Sequence, residues 1–384
     1  MKTWGLLLVT IAFVIGTSII SVELWGQKEE TIAADVQVKL QPGMTVAEFG
    51  AANALSKSLL KDFFKLENPE QLQKPITDFG LSLEQISTEI NKSIALETED
   101  ASKNWLKIPL KFSLWFLFMG VCFALLIKKK MSKKRRLILY ALGFTLFGVI
   151  LGADPSPMGT VKDAIVLYAA KGVIFKPRLV AFSVFTLLVV LANKFICSWG
   201  CQLGTLQDFI FRLNRNSDDT GPGRWPQFKL PFVISNGIRI LFFIALIWVA
   251  FAWAYDITRE IDPFKIFKPL NMSLIGWCFV VGTLTLSLFV YRPWCHLCCP
   301  FGLTGWLFEK LSLFRIRVDY GKCISCLACE NACPSPVMGA ILRRDKTVVP
   351  DCFSCGNCLE SCPTGAVSFS YGKRAKPTSG KLPG

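Results

Sequence analysis

The run CISCLACENACP occupies residues 323–334, and the similar run CFSCGNCLESCP follows at 352–363. Each run has cysteines at positions i, i+3, i+6 and i+10, with a proline directly after the last cysteine. Three closely spaced thiolates can bind three irons of a cubane from one loop, whereas the fourth iron needs a ligand from elsewhere. Two neighbouring runs can supply that fourth ligand to each other, so the pattern predicts two [4Fe-4S] clusters.

The expected ligands are therefore shared crosswise between the two runs. Cluster one is predicted to bind Cys323, Cys326, Cys329 and Cys362. Cluster two is predicted to bind Cys352, Cys355, Cys358 and Cys333. A zinc ribbon would use two C-x-x-C pairs and would leave the third and fourth cysteines of each run without a role. Iron–sulfur binding is the favoured interpretation, and zinc binding or structural thiols are the alternative.

The rest of the chain is strongly apolar. Of its 384 residues, 52% are hydrophobic, and the mean hydropathy is +0.43, which is typical of a membrane protein. A helix needs about 20 apolar residues to cross the hydrocarbon core. Segments of about this length lie near residues 4–22, 110–127, 136–153, 179–196, 236–255 and 272–290. We expect an α-helical integral membrane protein with about six transmembrane helices.

The first segment has two interpretations. A lysine precedes its apolar run, as in a signal peptide, but the run is longer than a usual signal-peptide core and no small-residue cleavage site follows it directly. An uncleaved anchor is the favoured interpretation.

The distribution of charge predicts the orientation in the membrane. The loop 128–136, KKKMSKKRR, has seven basic residues and no acidic one, as cytoplasmic loops do. Alternation then places both termini and the cysteine runs in the cytoplasm, and residues 24–107 on the periplasmic side of a bacterial inner membrane. Residues 28–107 contain 13 acidic and nine basic residues, in agreement. The net charge of +15 thus reflects topology and lipid contact, and nucleic acid is not an expected partner.

The chain divides into five expected parts. They are a transmembrane anchor at 1–23, an outer-side α+β or α domain at 24–107, a membrane domain at 108–317, an α+β ferredoxin-like domain at 318–371 and a basic cytoplasmic tail at 372–384.

Patterns within these parts predict individual elements. VQVKL (36–40) predicts a strand, and TVAE (45–48) and SLEQ (82–85) predict capping boxes at helix starts. Residues 161–175 predict an interfacial helix rather than a seventh span.

A duplicated unit lies in the membrane domain. KFICSWGCQLGTLQDFIFRL (194–213) aligns without gaps to RPWCHLCCPFGLTGWLFEKL (292–311). Each copy has a basic residue and two cysteines spaced i, i+4, which on a helix would share one face. The basic residues, Lys194 and Arg292, would favour thiolates. A third metal or cluster site, a redox dithiol and packing at a helix bend remain open for Cys197, Cys201, Cys295 and Cys299.

The chain has a single histidine, His296, so a haem b with two histidine ligands is excluded. We expect His296 to be an interfacial residue rather than a ligand. Electrons must enter from an inner-side partner or from the membrane, where quinol is the natural lipid-soluble donor. The candidate proton-handling groups, for which solvated loop charges are the alternative, are Asp154, Asp163, Asp256, Glu260 and Asp262.

The order of spans, C-x-x-x-C, C-x-x-x-C-P and the double ferredoxin run resembles the NapH/NosR/CcoG-type membrane iron–sulfur proteins over about residues 136–371. The resemblance implies electron transfer between the quinone pool and a redox partner protein or complex. It also implies an alternative, an accessory factor that reduces or delivers a metal, copper especially, for a respiratory metalloenzyme. Two departures from the family pattern are Gln202, where a proline is usual, and the additional Cys298.

Overall fold

The computed structural model of this protein is mostly helical. It describes residues 2–25, 39, 41, 43–53, 55–66, 68–79, 82–101, 103–105, 107–344 and 351–377. The strand predicted at 36–40 lies outside the described residues, apart from Lys39.

The α-helices are, in chain order, α1 Lys2–Trp25, α2 Val46–Ala52, α3 Lys57–Phe64, α4 Leu83–Ala101, α5 Lys107–Ile127, α6 Lys133–Phe144, α7 Pro157–Lys171, α8 Lys176–Ala192, α9 Gln202–Leu213, α10 Phe232–Trp253, α11 Leu274–Leu286, α12 Pro293–Leu297, α13 Pro300–Glu309, α14 Ala328–Ala332, α15 Val337–Arg343 and α16 Asn357–Glu360. Short 3-10 turns lie at Pro69–Gln73, Ile76–Phe79, Pro263–Phe267 and Pro269–Asn271. π-Helical turns lie at Thr145–Ile150 and Ile196–Gly200. The described residues also form strands β1 Phe314–Val318 and β2 Val367–Tyr371.

Within the described residues, three helices are long and apolar enough to cross a membrane: Thr3–Leu24 within α1, Lys107–Ile127 and Phe232–Trp253. They coincide with three of the six expected spans. The other three segments form shorter helices, because α6 gives way to a π-helical turn after 12 residues and α8 and α11 have 17 and 13 residues. The count of six therefore stays a prediction.

The small domain before α5 is held together by α2, α3 and α4. Both predicted capping boxes are confirmed. The side chains of Thr45 and Glu48 each accept a hydrogen bond from the other residue's backbone amide at the start of α2, and those of Ser82 and Gln85 do so before α4. Its buried core includes Val46, Phe49, Ile86 and Ile90. Burial of such side chains stabilises a small domain by about 2 kcal/mol each.

Helix α7 corresponds to the predicted interfacial helix but is shifted toward the N-terminus. It begins at Pro157, where the Ser156 side chain accepts a hydrogen bond from the amide of Gly159, and it ends at Lys171. Gly172 follows with a φ of 66°, a left-handed conformation that suits glycine at a helix end.

The C-terminal module, which contains strands β1 and β2 and both cysteine runs, packs on the ends of α5 and α8. Strands β1 and β2 pair antiparallel, from Phe314 opposite Tyr371 to Val318 opposite Val367. The ring of Phe123 on α5 lies edge-on to those of Phe314 and Phe369. The amide of Leu313 donates to the carbonyl of Val190 on α8 at 2.8 Å. These contacts place the module at the C-terminal ends of both helices.

Candidate functional site

Two cavities in the C-terminal module are each bordered by four cysteines. The first is bordered by Cys323, Cys326, Cys329 and Cys362. The second is bordered by Cys333, Cys352, Cys355 and Cys358. Both cavities are small, with volumes of about 20 Å³ and 30 Å³. The structure thus brings together both predicted quartets, each with one cysteine from the other run. Cluster ligation by these thiols stays a prediction.

The two loops curl around their cavities through left-handed residues at equivalent positions. Ser325 and Leu327 in the first run, and Ser354 and Gly356 in the second, have φ values between 53° and 81°. Only glycine adopts this conformation without strain, so the two runs share an unusual backbone path as well as a cysteine spacing. At Gly356 a Cβ atom would also lie 2.5 Å from Cδ2 of Leu126 on α5.

The surroundings of the cavities fit iron–sulfur clusters. Besides the thiols, the first is bordered by Val318 and Leu342, and the second by Ile316, Phe353 and other apolar side chains. Apolar walls limit the access of water to a cluster, and cysteine thiolates are the usual ligands of its irons. In the part of the chain that the structure describes, no three His, Cys, Asp or Glu side chains are arranged around a single metal ion.

The membrane-edge cysteines lie at helix breaks. Cys197 is in the π-helical turn before α9, and Cys295 is in the short helix α12. Cys201 and Cys299 are the N-cap residues of α9 and α13, with extended ψ angles of 120° and 117°. The prediction that each pair shares one helix face is wrong, because the helix ends between the two cysteines. Pro300 disfavours helical backbone at the residue before it.

The duplicated unit is preserved in three dimensions, even where its sequence departs from the family pattern. Gln202 follows Cys201 in place of proline, yet the backbone turns as it does at Cys299. Gly204 and Gly302 occupy matching places against the preceding cysteine carbonyls. A Cβ at Gly204 would lie 2.3 Å from the carbonyl oxygen of Cys197, and one at Gly302 would lie 2.7 Å from that of Cys295. The repeated glycines allow this close packing.

The two basic residues of the unit do not form ion pairs with the thiols of their own copies. Lys194 donates to Asp351 and lies 4.1 Å from the ring centre of Phe353. Arg292 donates to Asp208 and to the carbonyl oxygen of Cys197 in the other copy. Burial raises the pKa of the Cys197 thiol to about 12, and the nearby Lys194 only partly opposes this. The expected effect of the basic residue on the thiol is therefore smaller than the effect of burial.

His296 is a core residue, 7% exposed, rather than the interfacial residue expected. Its ring packs 5.0 Å from that of Phe353 and 5.8 Å from that of Tyr291, centre to centre. Burial lowers the pKa of His296 to about 4, so the ring is neutral near pH 7.

A buried ion-pair network joins the second cysteine loop to the membrane domain. Arg136 donates to Asp219 at 2.8 Å, to Glu360 at 3.1 Å and to the carbonyl oxygen of Cys355 at 3.1 Å. Sequence reasoning missed this role, since Arg136 was only one of seven charges that indicated orientation. No sequence signal identifies its partners, which are distant along the chain.

Asp208 is a second centre of buried charge. It accepts from Tyr291 at 2.9 Å, from Arg292 at 2.6 Å and from Arg212 at 2.8 Å. Burial alone would raise the pKa of Asp208, but the two guanidinium groups outweigh it and hold the pKa at about 2. Asp208 is therefore a carboxylate at neutral pH and neutralises part of the local positive charge.

The five candidate proton-handling carboxylates are in ion pairs or hydrogen bonds, so they are not simply solvated loop charges. Lys162 lies within 3.1–3.2 Å of oxygens of Asp163, Asp256 and Asp262. Asp154 pairs with Lys268, and Glu260 accepts from Ser273. Burial raises the pKa of Asp262. At Asp256, burial is outweighed by Lys162, and the pKa is lowered. Their roles in proton handling stay predictions.

Two protein families match parts of the chain. A 4Fe-4S dicluster domain matches residues 321–367, which contain both cysteine runs. A 4Fe-4S binding domain matches residues 177–230 and 272–318, so each match covers one copy of the duplicated unit with its two membrane-edge cysteines.

Comparison with curated proteins gives several relatives. YccM of Escherichia coli, named as an electron transport protein, is 32% identical over 209 residues, which cover 51% of this chain and 56% of YccM. The ferredoxin-type protein NapH of Haemophilus influenzae is 28% identical over 197 residues, 47% of this chain and 63% of NapH. An uncharacterized protein of Methanocaldococcus jannaschii is 24% identical over 265 residues, 68% of this chain and 94% of that protein.

The alignments span somewhat more than half the length of YccM and NapH. No solved structure matches the chain. Together with the two family matches, the relatives confirm the resemblance to NapH-type membrane iron–sulfur proteins.

Proposed function

Because the chain is similar to NapH-type membrane ferredoxins, we propose that it is a membrane-anchored electron-transfer protein that connects the quinone pool with a redox partner protein. The observation that carries this proposal is the pair of cavities, each bordered by its own cysteine quartet and lying in a module packed against membrane helices. Two bound [4Fe-4S] clusters would supply one-electron redox chemistry there.

The two quartets have different surroundings, which suggests different roles. The second loop is covered by the membrane domain: the indole of the fully buried Trp199 donates to the carbonyl oxygen of Ser354 at 3.2 Å. The first loop is at the surface, where Cys326 is exposed and Ile324 is 63% exposed. We assign the second quartet to the membrane side of the electron path and the first quartet to the partner side.

The proposed topology has six spans, with both termini and the ferredoxin module in the cytoplasm of a bacterial inner membrane. The basic loop 128–136 contacts the module directly, since Lys129 Nζ donates to the carbonyl of Gly365 at 2.6 Å. At the other end of α8, Arg178 pairs with Glu99 of the small domain at 2.6 Å. These contacts support opposite sides for the module and the small domain. The domain boundaries of the sequence analysis belong to the same proposal.

For the membrane-edge cysteines we propose a third iron–sulfur or metal site. The 4Fe-4S binding domain matches both copies of the unit, and this favours metal binding over a redox dithiol or packing. Cys197, Cys201 and Cys295 are less than 9% exposed, and Cys299 is half-buried, so bound metal would be shielded from water.

Quinol oxidation tests the proposed function. The full-length protein, purified and reconstituted anaerobically, is mixed with a short-chain quinol, and its iron–sulfur signals are followed by EPR. We expect reduction by the quinol and reoxidation by the matching quinone. Protein whose signals respond to dithionite but to neither quinol nor quinone would contradict the proposal.

A second candidate function is that of an accessory factor that reduces or delivers a metal, copper especially, to a respiratory enzyme. The four membrane-edge cysteines, three of them buried, favour it, because thiolates bind Cu(I) well. Replacement of Cys197 and Cys201 by serine should then lower the metal content of the dependent enzyme in cells. The control Cys278→Ser changes an exposed cysteine on α11. Full metal content in the double variant would exclude this function.

A further inference from the structure

A large cavity lies between the beginnings of α5, α7 and α8. Its volume is about 550 Å³, within the range of roughly 300–1,000 Å³ that is usual for small-molecule sites. The C-terminal module contacts the opposite ends of α5 and α8. Because the 21 residues of α5 extend about 30 Å, the cavity and the module lie at opposite ends of a membrane-length helix.

One wall of this cavity is apolar and open at its edge. Phe112 and Phe116 from α5 face Val180, Ala181 and Val184 from α8. Phe116 is 46% exposed and Val180 is 63% exposed. On a helix of membrane-spanning length, such exposed apolar side chains contact lipid. An apolar molecule can therefore enter sideways from the bilayer.

The other wall carries both donors and acceptors of hydrogen bonds. Lys103, Asp154, Asp163 and Arg178 border the cavity. Arg178 lies 3.5 Å from Asp163, so the two charges partly neutralise each other. With Lys176, three cations and two carboxylates border the cavity, so its charges nearly balance and it is not the wholly basic pocket that suits a phospholipid phosphate. A small ring with two oxygens matches better, because its carbonyls accept from Arg178 and its hydroxyls donate to Asp163.

Aromatic packing connects the cavity to the membrane-edge cysteines. Phe112, on the cavity wall, packs edge-on to Trp115 with ring centres 6.2 Å apart. The indole of Trp115 donates to the carbonyl oxygen of Gly200 at 2.9 Å, one residue before Cys201. One layer of side chains thus separates the cavity from the proposed third site. A redox molecule bound in the cavity could exchange electrons with the proposed third site over this short separation, whereas a structural lipid takes no part in electron transfer.

We propose that this cavity binds the head group of a membrane quinone, with the isoprenoid tail leaving between Phe116 and Val180. The inference rests on the proposed function and names the place where the quinone pool meets the chain. Arg178 and Asp163 orient the two ring oxygens, and the phenylalanine rings cover the ring faces.

Filling the cavity tests the proposal. The full-length protein with its clusters is placed in phosphatidylcholine nanodiscs, and the binding of decylubiquinone is measured by calorimetry. The buried Ala181 borders the cavity, so Ala181→Trp should weaken binding at least about tenfold, equivalent to about 1.4 kcal/mol. Val184→Trp should act in the same way from a half-buried position. The control Leu187→Trp lies on the same helix, is 56% exposed and should leave the affinity unchanged.

The outcomes separate this inference from the proposed function. Equal affinity of the wild type and both cavity variants, with intact EPR signals, would overturn the cavity assignment even if quinol still reduces the protein. If the variants bind quinone more weakly but quinol does not reduce the wild type, the cavity assignment would be supported and the proposed function contradicted. Loss of a co-purified phospholipid from the variants, with quinone affinity kept, would make a lipid the occupant and overturn the assignment.

Discussion

At the scale of the residue, the backbone between the cysteines, as well as their spacing, brings their thiols together. Ser325, Leu327 and Ser354 adopt left-handed φ values that glycine alone adopts freely, and each lies between two cysteines of a quartet. Such conformations persist only where the surroundings enforce them. Three of the four thiols of each run are thereby brought to one cavity.

The crosswise pairing gives a prediction about which variants behave alike. Cys362→Ser should disturb the same EPR signal as Cys326→Ser, because both thiols border the first cavity. Cys333→Ser should match Cys355→Ser in the same way. Each variant should lose about half of the iron of the C-terminal module, measured by iron analysis with EPR of the reduced protein.

The control Cys278→Ser, far from both cavities, should keep the full signal. A Cys362→Ser protein that resembles Cys355→Ser would show that each run binds its own cluster.

The quartets could be predicted from the sequence, since the spacing of the thiols leaves one iron of each cubane without a local ligand. The left-handed residues could not, because serine and leucine give no signal for a positive φ. The burial of His296 was missed for a related reason: its neighbours Tyr291 and Phe353 come together only in the folded chain.

At the scale of the element, the membrane-edge cysteines show how a helix ends within a repeated unit. Their i, i+4 spacing indicates a continuous helix, but the helix ends before the second cysteine in both copies. Pro300 was a sequence signal for the break in the second copy, whereas Gln202 gave none in the first. The close approach of Gly204 and Gly302 to the cysteine carbonyls requires this break.

Alanine substitutions test the role of the two glycines. Gly204→Ala and Gly302→Ala place a methyl group within 2.3 Å and 2.7 Å of backbone oxygens. We expect each to destabilise the protein by about 1–3 kcal/mol, measured as a lower melting temperature in detergent. Gly237→Ala in the middle of α10 meets no atom within 4 Å and should be neutral or stabilising by about 0.5–1 kcal/mol. Equal melting temperatures for all three variants would contradict this account.

At the scale of the whole molecule, buried charge fixes the ferredoxin module to the membrane domain. Arg136, Asp208 and Arg292 are fully buried and paired. The charge of the basic loop indicates its orientation, which stays a prediction, but no sequence pattern indicates the docking of the module. Arg136 pairs with Asp219, 83 residues along the chain, and with Glu360, 224 residues along the chain. Composition and periodicity contain no information about such pairs.

Removal of one member of the network should loosen the module. Arg136→Gln removes the cation beside Glu360 and the donor to the carbonyl oxygen of Cys355, whereas Asp219 keeps Arg212 and Arg215, so the loss costs about 1–3 kcal/mol. We expect faster hydrogen exchange in α16, which contains Glu360, measured by mass spectrometry. Arg135→Gln alters the exposed neighbour and should leave exchange in α16 unchanged. Faster exchange in both variants would instead indicate a general effect of loop charge.

The unequal exposure of the two cysteine loops affects how soluble proteins can exchange electrons with the module. A small soluble ferredoxin diffuses between its donor and its acceptor, but this module is fastened by Arg136 and by the aromatic contacts of Phe123, and the loop around Ile324 and Cys326 is the more exposed of its two cysteine loops. A soluble protein that exchanges electrons with the module would therefore come closest to a cysteine quartet at that loop. The rate of electron transfer would then depend on how often soluble partner proteins bind at this loop.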